Sequence, residues 1–206
     1  MNLAMMLRHA VREGGANPDF NTQLGNIIEQ CQGANMPKAS IKAAMKGADK
    51  SKASSYALYE ARGPGGSSLL IEILTDNNTR SHQEIKHILN KNGGALSDGA
   101  RHSFQWKGVV VLVGEVPLDR ALGLAIEPRT VSLLLFQFLC DVTSLRSVRE
   151  ALQALGVQTL SAGPEFVACS SVQLSDSELE AASKLLELLN DCHDVIRVYD
   201  NIQPLN

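Results

Sequence analysis

The stretch YALYEARGPGGSSLLIEILT (residues 56–75) sets the fold class. Residues 56–62 and 67–75 read as two strands, with Gly63-Pro64-Gly65-Gly66 between them. Proline presets one backbone angle for a turn, and glycine supplies positive φ at no steric cost. A glycine-rich loop that cradles phosphate needs a strand before it and a helix after it. Strands flank this one on both sides, and neither a Walker A nor a GxGxxG pattern occurs, so it reads as a hairpin turn.

Upstream the period is helical. Leu3, Met6, Leu7, Ala10 and Val11 share one helix face, and Gly14-Gly15 stops that helix. Asn21 or Thr22 caps a second helix, in which Leu24, Ile27, Ile28 and Cys31 form an apolar stripe ended by Gly33. Pro37 suits the first turn of a third, whose Ile41, Ala44 and Met45 face inward before Gly47. Residues 48–55 are small and polar, a linker.

Downstream, Ser81-His82-Gln83-Glu84 is a capping-box pattern opening a helix through Ile85, Ile88 and Leu89, and Asn92-Gly93-Gly94 closes it. Residues 102–106 and 109–113 read as strands joined by Lys107-Gly108, completing a β-β-α-β-β unit. Then come a short helix (117–126), a strand (131–140), a helix (145–155) and strands at 157–160 and 166–174. A helix opened by the capping box Ser175-Asp176-Ser177-Glu178 and a closing strand (195–199) follow. The expected architecture is α+β: a helical domain (1–54), then two small α+β sheet domains (55–116 and 117–206).

Of the 206 residues, 44% are hydrophobic and 20% charged, as in a globular protein. No apolar run reaches the roughly 18 residues a membrane helix needs, so no membrane insertion is expected. The N-terminus has no cleavage-site pattern of a targeting segment. The 4 cysteines are scattered, which suggests free thiols rather than disulfides or a metal site. Residues 1–107 carry 13 Lys and Arg against 9 Asp and Glu, whereas 108–206 carry 6 against 13. A polyanion would therefore meet the front half.

Within that half, Lys38, Lys42 and Lys46 recur every fourth residue along one helix face, with Lys50 just beyond and Lys52, Arg8 and Arg12 nearby. Like charges at this spacing repel mildly. The row is either a solvated face or one that a phosphate backbone neutralises. Arg80, Lys91 and Arg101 stand at loop tips among asparagines, where basic and amide groups suit phosphate and sugar edges. His82 and His87 do not share a helix face, Asp76 lies in a polar turn, and no GxSxG, HExxH or SxxK occurs, so an enzyme is not expected.

The strings VREGGANP (11–18), ANMPKASI (34–41), YEARGPGG (59–66), LTDNNTR (74–80), LNKNGGAL (89–96) and DVIRVYDNI (194–202) resemble the YebC family in order and spacing. RHSF (101–104) and FLCDVTSL (138–145) resemble its animal mitochondrial branch of translational activators of cytochrome c oxidase. The resemblance implies a non-enzymatic, three-domain translation factor with no cofactor and no small-molecule substrate. It would act in the mitochondrial matrix on synthesis of cytochrome c oxidase subunit I, with mRNA, ribosomal RNA or the mitochondrial ribosome as partner. DNA-binding transcriptional regulators of the YebC type are the alternative, against which stands the absence of a helix-turn-helix or zinc-finger pattern. Two departures are expected to matter. The family's basic N-terminal stretch is absent, implying truncation, and Pro128-Arg129-Thr130-Val131 replaces an acidic stretch, implying a third domain short of an edge strand and less stable.

Overall fold

The computed structural model describes residues 3–48, 54–113, 127–132, 135–156 and 158–203. The chain divides into two compact units. One gathers Met1–Ile27, Pro37–Gln105 and Ala168–Asn206, the other Ile28–Met36 and Trp106–Val167.

In the first unit, α1 (Leu3–Gly14) packs against α3 (Lys38–Lys46). Between them in sequence lies α2 (Thr22–Gly33). Asn21, rather than Thr22, caps α2: its Oδ1 accepts from the Leu24 N–H at 3.0 Å. Its Nδ2 donates to the Ala10 and Gly15 carbonyls at 2.7 and 2.9 Å, so one buried amide both starts α2 and ties down the end of α1.

The hairpin forms as expected. β1 (Ser55–Arg62) and β2 (Ser68–Thr75) pair antiparallel from Ser55↔Thr75 to Arg62↔Ser68. The turn is a short 3-10 segment in which Gly65 adopts φ 64°, a conformation costly for any residue with a Cβ. The sheet also holds β3 (Ala95–Leu96) and β8 (Val195–Asp200), in the order β3-β1-β2-β8, all pairs antiparallel. Two helices, α4 (Asn78–Lys91) and α6 (Asp176–Asp191), cover one face. Leu69, Ile71 and Ile73 of β2 meet Ile85 and Leu89 of α4 and Leu185 and Leu189 of α6 there. Each such fully buried side chain contributes about 1.5–3 kcal/mol of hydrophobic stabilisation. The capping box of Ser175 and Glu178 opens α6 as the sequence predicts. By contrast α4 begins before Ser81, because the Asn77 side chain accepts the Arg80 N–H at 3.0 Å and caps the helix.

In the second unit the sheet runs β5-β6-β4-β7, with β4 (Phe104–Val113), β5 (Glu127–Ser132), β6 (Leu135–Cys140) and β7 (Gln158–Ala168). Val110, Leu112, Phe138 and Cys140 form its core with Leu145, Val148 and Leu152 of α5 (Leu145–Ala154). Four sequence expectations change here. The β-β-α-β-β unit does not hold as one sheet, because β4 joins this second sheet and β8 takes the place beside β2. Lys107-Gly108 does not turn; β4 is one continuous strand. A Cβ on Gly108 would lie 2.9 Å from Cys140 Sγ and 3.1 Å from Leu145 Cδ1, so this glycine serves close packing. The strand expected at 131–140 is two antiparallel strands, and β5, the segment around Pro128, holds the sheet edge. The strands expected at 157–160 and 166–174 are a single β7, also an edge strand, where Pro164 is tolerated. The helix expected at 117–126 lies outside the described residues.

Candidate nucleic-acid interface

The helix α3 is short and buries Ile41 and Ala44. Lys38, Lys42 and Lys46 stand exposed on the side left over. Among the described residues none of the three pairs with a carboxylate. An exposed row of lysines at four-residue spacing presents positive charge along one line, a geometry that phosphates of a nucleic acid can neutralise. Lys50 and Lys52 lie outside the described residues.

The other five candidates do not extend this row uniformly. Arg12, half-buried on α1, donates from Nε to the Ala48 carbonyl at 2.8 Å, tying α1 to the residues after α3. Arg8 lines a cleft of about 310 Å³ with Met5, Ser54, Asp76, Arg80, Glu84, His193 and Asp194. The cleft thus brings Arg8 and Arg80 together, but three carboxylates share its wall. Arg80 stands in the first turn of α4 and Lys91 at its last residue, which places them roughly 16 Å apart along the axis. Arg101 sits in the short turn Ala100–Ser103, where its backbone N–H donates to the Glu60 carboxylate at 2.9 Å.

Arg80 is occupied by a network that no local sequence pattern announces. Its guanidinium lies 2.9 Å from Asp76 and 2.9 Å from Asp194. The Ser81 and Thr75 hydroxyls donate to the same Asp194 oxygen at 2.6 and 3.0 Å, and Asp194 is only 5% exposed. Burial pushes the Asp194 carboxyl up, but the hydrogen bonds from Arg80, Ser81 and Thr75 outweigh it and hold it below the usual carboxylate range. The end of β2, the start of α4 and the start of β8 are joined through this one carboxylate. Nothing in the local pattern around Asp194 signals a partner more than a hundred positions away.

A second buried carboxylate, Glu72 in mid-β2, accepts from the Tyr56 hydroxyl at 2.7 Å and the Tyr199 hydroxyl at 3.1 Å. Burial of the Tyr56 hydroxyl and the Glu72 carboxylate beside it push that phenol well above its ordinary pKa. His82 packs edge-on against Tyr59 at 5.5 Å between ring centroids. The four cysteines are free thiols. Among the described residues no group of three or more His, Cys, Asp or Glu is placed to hold a metal ion, and no helix is long and apolar enough to cross a membrane.

The fold and the sequence find clear counterparts. The crystal structure of the conserved hypothetical protein Aq1575 from Aquifex aeolicus is similar over 100% of this chain and 89% of its own, with a TM-score of 0.89 at 29% identity. The translational activator of cytochrome c oxidase 1 of Rattus norvegicus is 48% identical over 98% of this chain and 73% of its own length. A probable transcriptional regulatory protein of Petrotoga mobilis is 36% identical over 94% of this chain and 81% of its own. A family profile described as the TACO1/YebC protein N-terminal domain matches residues 1–51, and one described as the TACO1/YebC second and third domain matches residues 54–202. With matched segments running from the first helix through the closing strand, the chain belongs to the TACO1/YebC family.

Proposed function

We propose that this chain is a translational activator that supports mitochondrial synthesis of cytochrome c oxidase subunit I through contact with the mRNA or the ribosome. The observation that supports the reading is the 48% identity, over nearly the whole chain, to a rat protein named a translational activator of cytochrome c oxidase. The family is regulatory rather than enzymatic, so the activity must come from binding. The exposed face of Lys38, Lys42 and Lys46, with no carboxylate partner among the described residues, is the surface best suited to a phosphate backbone. If all three neutralise phosphates of single-stranded RNA, their share of the affinity falls roughly tenfold when salt rises threefold, from a slope of about −0.7 per contact.

The test is pulse-labelling of mitochondrial translation products in cells lacking the protein and in cells given this chain. Selective loss of the subunit I band, restored by the chain, is the expected result. Unchanged labelling on removal, or a uniform fall in every product, overturns the reading. Several bacterial relatives are named probable transcriptional regulatory proteins, which keeps duplex DNA as a second partner to measure. Tighter binding to duplex DNA than to RNA at equal salt would favour that reading.

A further inference from the structure

We propose that the solvent face of α4 is a second contact surface for an RNA phosphate backbone, formed by Lys86, His87 and Lys91 with the amides of Gln83 and Asn90. This rests on the reading of the chain as an RNA- or ribosome-contacting factor and adds a surface distinct from α3.

The helix buries Ser81, Ile85 and Leu89, with Ile88 half-buried. Gln83, Lys86, His87, Asn90 and Lys91 are all exposed. Their spacing of three and four residues places them in one arc along the helix, opposite the buried stripe. An ordinary solvated helix laces its charges with partners one turn away, as Arg146 and Glu150 do on α5 at 3.0 Å. The α4 arc lacks that pattern. One turn from Lys86 stand His82, Gln83, Leu89 and Asn90, and one turn before Lys91 stand His87 and Ile88. None is acidic.

The carboxylate on α4 itself, Glu84, stands one turn before His87 and borders the arc, but among the described residues it pairs with neither Lys86 nor Lys91. It lines the cleft with Arg8 and accepts from the Cys192 thiol at 3.9 Å. The neighbouring helix α6 carries acidic Glu180, Glu187 and Asp191, yet among the described residues none pairs with Lys86 or Lys91. Arg80, at the front of the same helix, is held by Asp76 and Asp194 and is not counted in the surface. The result is two uncompensated lysines with amide and imidazole donors between them. That combination suits phosphate and sugar oxygens, which offer many acceptors and no fixed geometry. The helix is anchored on the sheet by its apolar stripe, so the arc is presented on a rigid element.

The experiment measures binding of a fluorescently labelled, unstructured RNA oligomer by anisotropy across a salt series. The variants are Lys86→Gln/Lys91→Gln, Lys38→Gln/Lys42→Gln/Lys46→Gln, and Lys184→Gln as a control on the exposed side of α6. Thermal melts check that each variant is folded; exposed Lys-to-Gln changes on helices leave propensity nearly unchanged. The expected result is a roughly tenfold weaker affinity for the α4 pair at low salt, with a salt slope flatter by about 1.4. The Lys184 variant should match the wild type. An α4 pair that binds like the wild type, while the α3 triple variant weakens, overturns this proposal and leaves the α3 surface standing. An α4 pair that weakens no more than the Lys184 control likewise overturns it. Absence of RNA binding by the wild type overturns both surfaces.

Discussion

Asp194 shows how much one side chain can organise. Its carboxylate receives Arg80, Ser81 and Thr75, and its own carbonyl accepts the Leu74 N–H at 2.9 Å. Replacement by Asn removes the charge and leaves buried hydroxyls with a poorer acceptor. Arg80 remains half exposed and can be hydrated, so the loss falls short of that for a fully buried ion pair. We expect Asp194→Asn to cost about 2–3 kcal/mol and to lower Tm by roughly 5–10 °C. The folded carboxyl titrates below its unfolded value of about 3.9. Its stabilisation is therefore fully present above that pH and fades as pH falls through the folded pKa. Denaturant titrations of both proteins should show a constant difference at neutral pH that shrinks below about pH 4. A difference independent of pH would show that the variant acts through packing. This residue was visible in the sequence only as part of a family-like string, because its partners arrive from the far end of the chain.

At the scale of elements, local chemistry was legible wherever the stop and start signals were local. The GPGG turn, the Asn21 cap, the Ser175 capping box and the apolar stripes of α1, α4 and α6 all follow from residues within a few positions of one another. The misreadings share a cause. Gly108 and Pro164 look like punctuation, yet both lie inside strands, one because Cys140 and Leu145 crowd its α-carbon and the other because an edge strand has no use for its missing N–H. Ser81 looks like a cap but is already inside α4, where Asp194 claims its hydroxyl. The pairing of β8 with β2, and of β4 with β6, depends on long-range competition for sheet edges that no window of sequence records. The account of Gly108 makes a prediction. Gly108→Ala should overpack the core of the second sheet and destabilise it by about 1–3 kcal/mol, and Gly108→Ala with Cys140→Ala should recover part of that loss. A single variant as stable as the wild type in a denaturant melt would contradict the close-packing role of Gly108.

For the whole molecule, the candidate interface was legible in part. The α3 lysines stand as their spacing implied, exposed and without carboxylate partners among the described residues. Arg12 donates to the Ala48 carbonyl, Arg80 is paired with Asp76 and Asp194, and Lys91 is the last residue of α4 rather than a loop tip. Charge counting along the sequence cannot make that distinction, because an arginine that anchors a fold and one that meets a phosphate look alike until their partners are known. The central claim is that the chain reaches the translation machinery through the α3 face. Its most direct test is co-sedimentation with mitochondrial ribosomes at low and moderate salt, for the wild type and for a folded Lys38→Glu/Lys42→Glu/Lys46→Glu variant. The account predicts salt-sensitive co-sedimentation that the variant loses. A wild type that stays off ribosomes at low salt, or a variant that sediments as the wild type does, would contradict it.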